Sequence, residues 1–150
     1  MLRLSRKTML ALEAVLDVAY NARPDPVQSK DITSRQGIPQ RYLEQVLQSL
    51  VRKGILKGVR GPRGGYTLAR ERRKVTVGDV VRVVDQLDAE AESEPASQAE
   101  LGEQIIGPLW AETRTLVLGR LDQINMEDLC RQARDQGIEP ASKDGPDFNI

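Results

Sequence analysis

Two short stretches carry most of the side chains that could do chemistry. Residues 41 to 54, "RYLEQVLQSLVRKG", set Arg41, Gln45, Gln48 and Arg52 on one stripe at helical spacing, with Glu44 and Ser49 at its flanks. Leu43, Val46, Leu47 and Leu50 form the opposite stripe. Arg and Gln have forked or two-ended side chains that match the major-groove edges of guanine and adenine. The same face also suits plain solvation. Residues 58 to 70, "GVRGPRGGYTLAR", place four glycines and a proline among three arginines. Such a loop could cradle a cofactor phosphate, form a bare hairpin turn, or lie along a nucleic acid. It lacks the Lys-Ser/Thr ending of a phosphate-binding loop and precedes a strand where such a loop should open a helix. A phosphate- or nucleotide-handling enzyme is therefore a remote alternative. With no histidine in the chain, Ser-His-Asp and Cys-His catalysis and His-based zinc sites are excluded.

Elements that would position these residues follow from periodicity. Met9, Leu12, Val15, Leu16 and Ala19 predict a helix from Thr8 to Ala22, with Ser5 as N-cap and Pro24 and Pro26 ending it. Ser29 is expected to cap a short helix stopped by Gly37, and Pro39 to stand in the first turn of the longer helix that ends at Gly54. Short helix, Gly turn and longer helix make a helix-turn-helix, a pattern shared with packed helical hairpins that bind no DNA. "ILKGV" and "YTLAR" read as the strands of a hairpin directly behind it, which completes a winged helix. Thr76 would cap a further helix carrying Val80, Val81, Val83, Val84 and Leu87, although its valine content leaves a strand open. Residues 88 to 107 read as an acidic, mobile loop. Pro108 then starts an unusually apolar helix with Leu109, Trp110, Leu116, Val117, Leu118 and Leu121, for which a second copy of itself is the economical partner. A last helix ends at Gly137, and 138 to 150 are expected to be disordered.

The net charge is zero, but it is unevenly distributed. Residues 1 to 87 hold 17 Lys and Arg against 8 Asp and Glu, a balance of +9; residues 88 to 150 hold 5 against 14, a balance of −9. This asymmetry suggests a nucleic-acid-facing module, 1 to 87, with its helix-turn-helix at 28 to 54 and wing at 55 to 69, joined to an acidic part. Its helices at 108 to 137 would dimerise. Aromatic residues make up 3% of the chain, so the core must be mostly aliphatic. No apolar run approaches the ~20 residues that span a bilayer, and charges interrupt the N-terminal apolar residues. The expectation is a cytoplasmic protein with no membrane partner.

The segment "RYLEQVLQSLVRKGILKGVRGPRGGYTLAR" closely resembles the winged helix-turn-helix of the Rrf-two family of bacterial transcription regulators. The likeness extends from "LRLSRK" through "DITSRQGI" and the Arg-Gly-Pro-x-Gly-Gly-Tyr wing to "VTVGDVVRVVD", and resumes at "LW" and "INMEDL", roughly 130 residues in all. The resemblance implies a mainly α fold with a small β-hairpin and a long C-terminal dimerisation helix. It also implies a homodimer, most simply a repressor, on a palindromic duplex operator. Arg41, Glu44 and Gln45, with Gln48 on the same face, would read bases in the major groove. Arg60 and Gly61 would enter the minor groove, within a wing completed by Pro62, Arg63, Gly64 and Gly65. Arg6, Lys7, Ser29, Lys30, Tyr42 and Arg52 would position phosphates, and Leu109, Trp110, Leu116, Val117 and Leu121 would dimerise.

One departure matters. The family's redox sensors hold an iron-sulfur cluster on three cysteines in the loop before the long helix, whereas residues 88 to 107 contain none. Carboxylates do not replace three thiolates, so no cofactor is expected. The lone Cys130 reads as a small buried residue, with a thiol switch as the alternative. The acidic segment could instead dock a regulatory protein partner.

Overall fold

The Ser5 hydroxyl accepts from the Thr8 N–H at 3.1 Å and starts α1, Arg6–Asn21. The computed structural model describes residues 4–22, 24–91 and 98–141. Behind α1 come α2 (Ser29–Gln36), α3 (Gln40–Arg52), β1 (Leu56–Val59) and β2 (Gly65–Leu68), then a 3-10 turn (Arg72–Lys74) and α4 (Val77–Ala91). After a π-type turn at Gly102–Ile106, α5 (Gly107–Leu121) and α6 (Met126–Asp135) complete the order. The fold is mainly α with one small antiparallel hairpin, in which Leu56 pairs with Leu68 and Val59 with Gly65.

The core lies between α1 and α4, closed by α2, α3 and α6. It is aliphatic, as the scarcity of aromatics requires. The buried stripe of α1 is Ala11, Ala14, Val15, Val18 and Ala19, while Met9 is exposed and Leu12 and Leu16 are only partly buried. The large apolar side chains alone thus indicate the wrong phase. Small alanines face inward, on the side of α1 that packs into the helical core. The valine-rich segment is a helix, capped reciprocally: Thr76 Oγ1 accepts from the Asp79 N–H and Asp79 Oδ2 from the Thr76 N–H, both at 3.0 Å.

Two buried ionic groups tie the helices. The Asp17 side chain accepts from Arg35 Nε at 2.9 Å, Arg35 Nη2 at 2.8 Å and Gln36 Nε2 at 2.8 Å, joining α1 to the end of α2. Arg72 donates from Nε and Nη2 to the Ala19 carbonyl at 2.9 and 2.6 Å, satisfying the C-terminus of α1, and reaches Glu127 of α6 at 3.5 Å. At the surface, Arg82 grips Asp122 through two bonds of 2.6 and 2.8 Å and holds its carboxyl below the usual range.

Four expectations are corrected. The 88 to 107 stretch is not one loop: α4 runs on to Ala91, and helix resumes at Glu100, while residues 92 to 97 lie outside the described residues. Asp-Ala-Glu-Ala is good helix sequence. At the other end, the widened turn, with Gly107 N–H on the Gly102 carbonyl, lets Pro108 follow without breaking the helix. Ser29 is the first helical residue and not the cap, because the Gln28 carbonyl accepts the first intrahelical bonds from Asp31 and Ile32. Pro39 likewise precedes α3, taking the cap position. The start of the tail is fixed against α1: the Tyr20 hydroxyl donates to the Ile138 carbonyl, and the Ala141 N–H donates to Asn21 Oδ1 at 2.7 Å. Residues 142 to 150 lie outside the described residues.

Candidate nucleic-acid interface

Alternation of polar and apolar residues along α3 buries Leu43, Val46, Leu47 and Leu50 completely, leaving Arg41, Glu44, Gln45 and Gln48 exposed on the other side. This row of charged and amide side chains on a rigid helix can present donors and acceptors to base edges. Its first turn abuts α2, with Gln40 Nε2 3.5 Å from the Ser29 hydroxyl.

The wing is held beside α2 by a pair of backbone bonds the sequence did not announce. Val27 N–H donates to the Tyr66 carbonyl at 2.9 Å and Tyr66 N–H to the Val27 carbonyl at 2.8 Å, adding a third strand position to the hairpin. Tyr66 thereby anchors the hairpin on the domain. A groove lined by Ser29, Lys30, Arg60, Gly61, Gly64 and Tyr66 runs between the α2 N-terminus and the wing. Lys30 and Arg63 also line the neighbouring recess together with Pro62. One glycine closes the turn of the wing and a second lets it dock on Val27. A Cβ on Gly64 would collide with the Val59 carbonyl, and one on Gly65 would strike the Val27 carbonyl, with the Val27 carbonyl carbon 2.7 Å away. Gly61, at φ +108°, turns the tip. Arg60, Gly61, Pro62 and Arg63 are all exposed there.

Not every expected phosphate contact joins this cluster. Arg6 and Lys7 are exposed at the start of α1, where Lys7 stands 3.7 Å from Asp88. The Tyr42 hydroxyl donates to the Lys7 carbonyl at 2.6 Å, so its proton is engaged within the protein. Burial, with the Asp88 charge acting in the same direction, raises its pKa to about 12, which keeps it a donor at neutral pH. Arg52 lies at the far end of α3, bonded to Ser49 at 3.0 Å beside Gln86 and Glu90 of α4. Gln40 is the side chain the sequence reading overlooked, although the Gln-x-x-x-Glu spacing from Gln40 to Glu44 signals an i, i+4 pair.

On α5 no side chain is buried; Leu109, Trp110, Leu116 and Val117 are about half exposed or more, reaching 69% at Leu116. Leu121, by contrast, packs against the core beside Leu118, so it belongs partly to the monomer. Cys130 is completely buried in α6, where solvent oxidants do not reach it without local opening. The switch reading is weakened accordingly.

A recognition helix, its supporting helix and a basic wing in this arrangement define a winged helix-turn-helix transcription regulator. The family model described as "Iron-dependent Transcriptional regulator" (Rrf2) matches residues 4–132. The chain belongs to the Rrf2 family and is a DNA-binding transcription regulator. It is 34% identical over 129 residues to the HTH-type transcriptional regulator IscR of Escherichia coli O1:K1 / APEC, covering 85% of this chain and 80% of that one. The solved structure of T. potens IscR superposes with a TM-score of 0.71 at 32% identity, over 90% of each chain. CymR, the global cysteine regulator of B. subtilis, gives 0.67 at 30% identity, over 88% of this chain and 98% of that one.

The family description raises the question of iron. A cluster held by three thiolates does not fit this donor set, since the sequence has one cysteine and that one is buried in α6. Among the described residues no group of three or more His, Cys, Asp or Glu is gathered to hold a metal ion. None of the helices among them is long and apolar enough to cross a membrane.

Proposed function

We propose that the protein is a homodimeric, sequence-specific repressor that binds a palindromic duplex operator without an iron-sulfur cluster, in the cytoplasm. The observation that carries this reading is that two exposed readers, the polar face of α3 and the basic wing, are both tied to α2 and the residues before it. The exposed face of α3 would enter the major groove, and the wing, tied to α2 through Val27 and Tyr66, would reach the adjacent minor groove with Arg60. Arg6, Lys7, Ser29, Lys30 and Arg63 would meet phosphates around them, Tyr42 and Arg52 acting within the protein. The exposed apolar side chains of α5 support pairing with a second copy, which would repeat the reader across a two-fold axis.

The phosphate and base roles separate experimentally. Arg63→Ala should weaken binding to all duplexes alike and lower the slope of log affinity against log salt by about 0.9, the value for one lost phosphate contact. Fluorescence anisotropy on a selected and a scrambled duplex, across a salt series, measures both. A loss confined to the selected duplex, with the slope unchanged, would assign Arg63 to base reading instead.

A further inference from the structure

The Glu44 carboxylate is not left to rotate freely on the exposed face of α3. Gln40 Nε2 donates to its Oε1 at 2.9 Å, one helical turn back. The amide is itself oriented from the neighbouring helix, because the Thr33 hydroxyl donates to Gln40 Oε1 at 2.8 Å and Ser29 Oγ lies 3.5 Å from Nε2. With its oxygen on Thr33, the amide must turn its NH2 toward Glu44 and Ser29. Among the described residues Glu44 has no ion pair, and its second oxygen, Oε2, has no hydrogen-bond partner.

From this geometry we infer that Gln40 and Thr33 are positioning residues that set the base preference of Glu44. The inference rests on the reading of Glu44 as a base-contacting side chain. A neutral amide fixes the direction of a carboxylate without neutralising it, as a lysine or arginine would. Oε1 is occupied, so Oε2 is the oxygen presented, aimed in one direction and able to accept from a cytosine amino group. A flexible glutamate could turn to meet a donor or swing away from an acceptor, and would discriminate less. Preorganisation penalises the wrong base pair, because the carboxylate must then face an acceptor or give up its bond to Gln40. Thr33 belongs to α2 and Gln40 to α3, so the two helices of the motif jointly set one side chain. The relay makes the reader rigid by construction, with selectivity built into the fold.

The experiment uses the full-length chain and the duplex that it enriches from a random pool, together with all single-base-pair substitutions of that duplex. Glu44→Ala first identifies the base pair whose preference depends on Glu44. Gln40→Leu, which keeps bulk but loses the amide, is expected to reduce discrimination at that same pair by about two- to tenfold, the range of one hydrogen bond. Thr33→Val should act in the same direction and more weakly, since it only frees the amide to flip. Affinity for unrelated duplex should stay within about twofold, because no phosphate contact is removed. In the Glu44→Ala background, Gln40→Leu should have no further effect on preference. If Glu44→Ala alters no base pair, the base-reading role fails and the inference with it. If Glu44→Ala alters one pair while Gln40→Leu and Thr33→Val leave that preference intact, the role of Glu44 stands and the relay is overturned.

Discussion

Replacing Gly64 with alanine should weaken operator binding at least about tenfold while leaving the helices folded. Gly64 is the one buried residue at the wing tip, and its N–H donates to the Gly61 carbonyl at 2.9 Å. A methyl group there would collide with the Val59 carbonyl and sit 2.9 Å from both the Arg60 carbonyl carbon and the Gly61 oxygen. All three obstacles are backbone, so no side-chain rotation relieves them. The turn must open, at a cost of about 1 to 3 kcal/mol, and Arg60 and Arg63 move with it. Because the collision lies at the tip of the wing, where residues 60 to 63 are exposed, this strain should appear as local opening, with a melting temperature only a few degrees lower. Anisotropy with the selected duplex and a thermal melt measure the two effects. Unchanged affinity would mean that the wing takes no part in binding.

A second substitution should do the reverse, damaging the fold before the interface. Asp17→Ala is expected to cost about 3 kcal/mol of stability and to lower the melting temperature by roughly 6 to 12 °C for a chain of this size. The Asp17 side chain is fully buried and accepts three hydrogen bonds, two from Arg35 and one from Gln36. Its hydrogen bond and charge raise the Arg35 pKa. Removal strands the guanidinium and leaves a cavity. Arg35 keeps 29% of its side chain in contact with solvent, which limits the loss to the lower part of the range for a broken buried pair. Asp17→Asn should be intermediate, since its NH2 must face donors at one oxygen position. Chemical denaturation would show a lowered midpoint with an unchanged slope. A midpoint within the error of the unsubstituted chain would contradict the structural role assigned to this carboxylate.

These two substitutions mark what the sequence made legible. The recognition helix was readable because its polar and apolar stripes are long and clean, and the wing because Gly-Gly and Gly-Pro punctuate it between two short apolar runs. Thr76 was readable as a cap, whereas the answering bond from Asp79 that completes the capping box emerged only in the structure. Asp17 and Arg72 were not readable, because their partners Arg35, Ala19 and Glu127 come together only in three dimensions. The inward phase of α1 was hidden for a related reason. Alanine carries a weak hydrophobic signal, yet the core-facing side of α1 carries it in place of Met9 and Leu12. The segment from 88 to 107 misled through composition: acidic and Ser/Pro-containing sequence resembles a loop, but its two ends hold helix-forming residues, and the widened turn absorbs Pro108. Within the site, the exposed polar face of α3 was legible from periodicity, whereas the link from Thr33 through Gln40 to Glu44 required the crossing of α2 and α3.

Selecting bound duplexes from a random pool, at low salt and with metal-free protein, tests the central claim most directly. The account predicts enrichment of a two-fold symmetric sequence without added iron, with half-sites about one helical turn apart. Glu44→Ala and Gln45→Ala should relax separate base pairs by ~1 to 3 kcal/mol. Enrichment of no sequence, or of a sequence without internal symmetry, would contradict it.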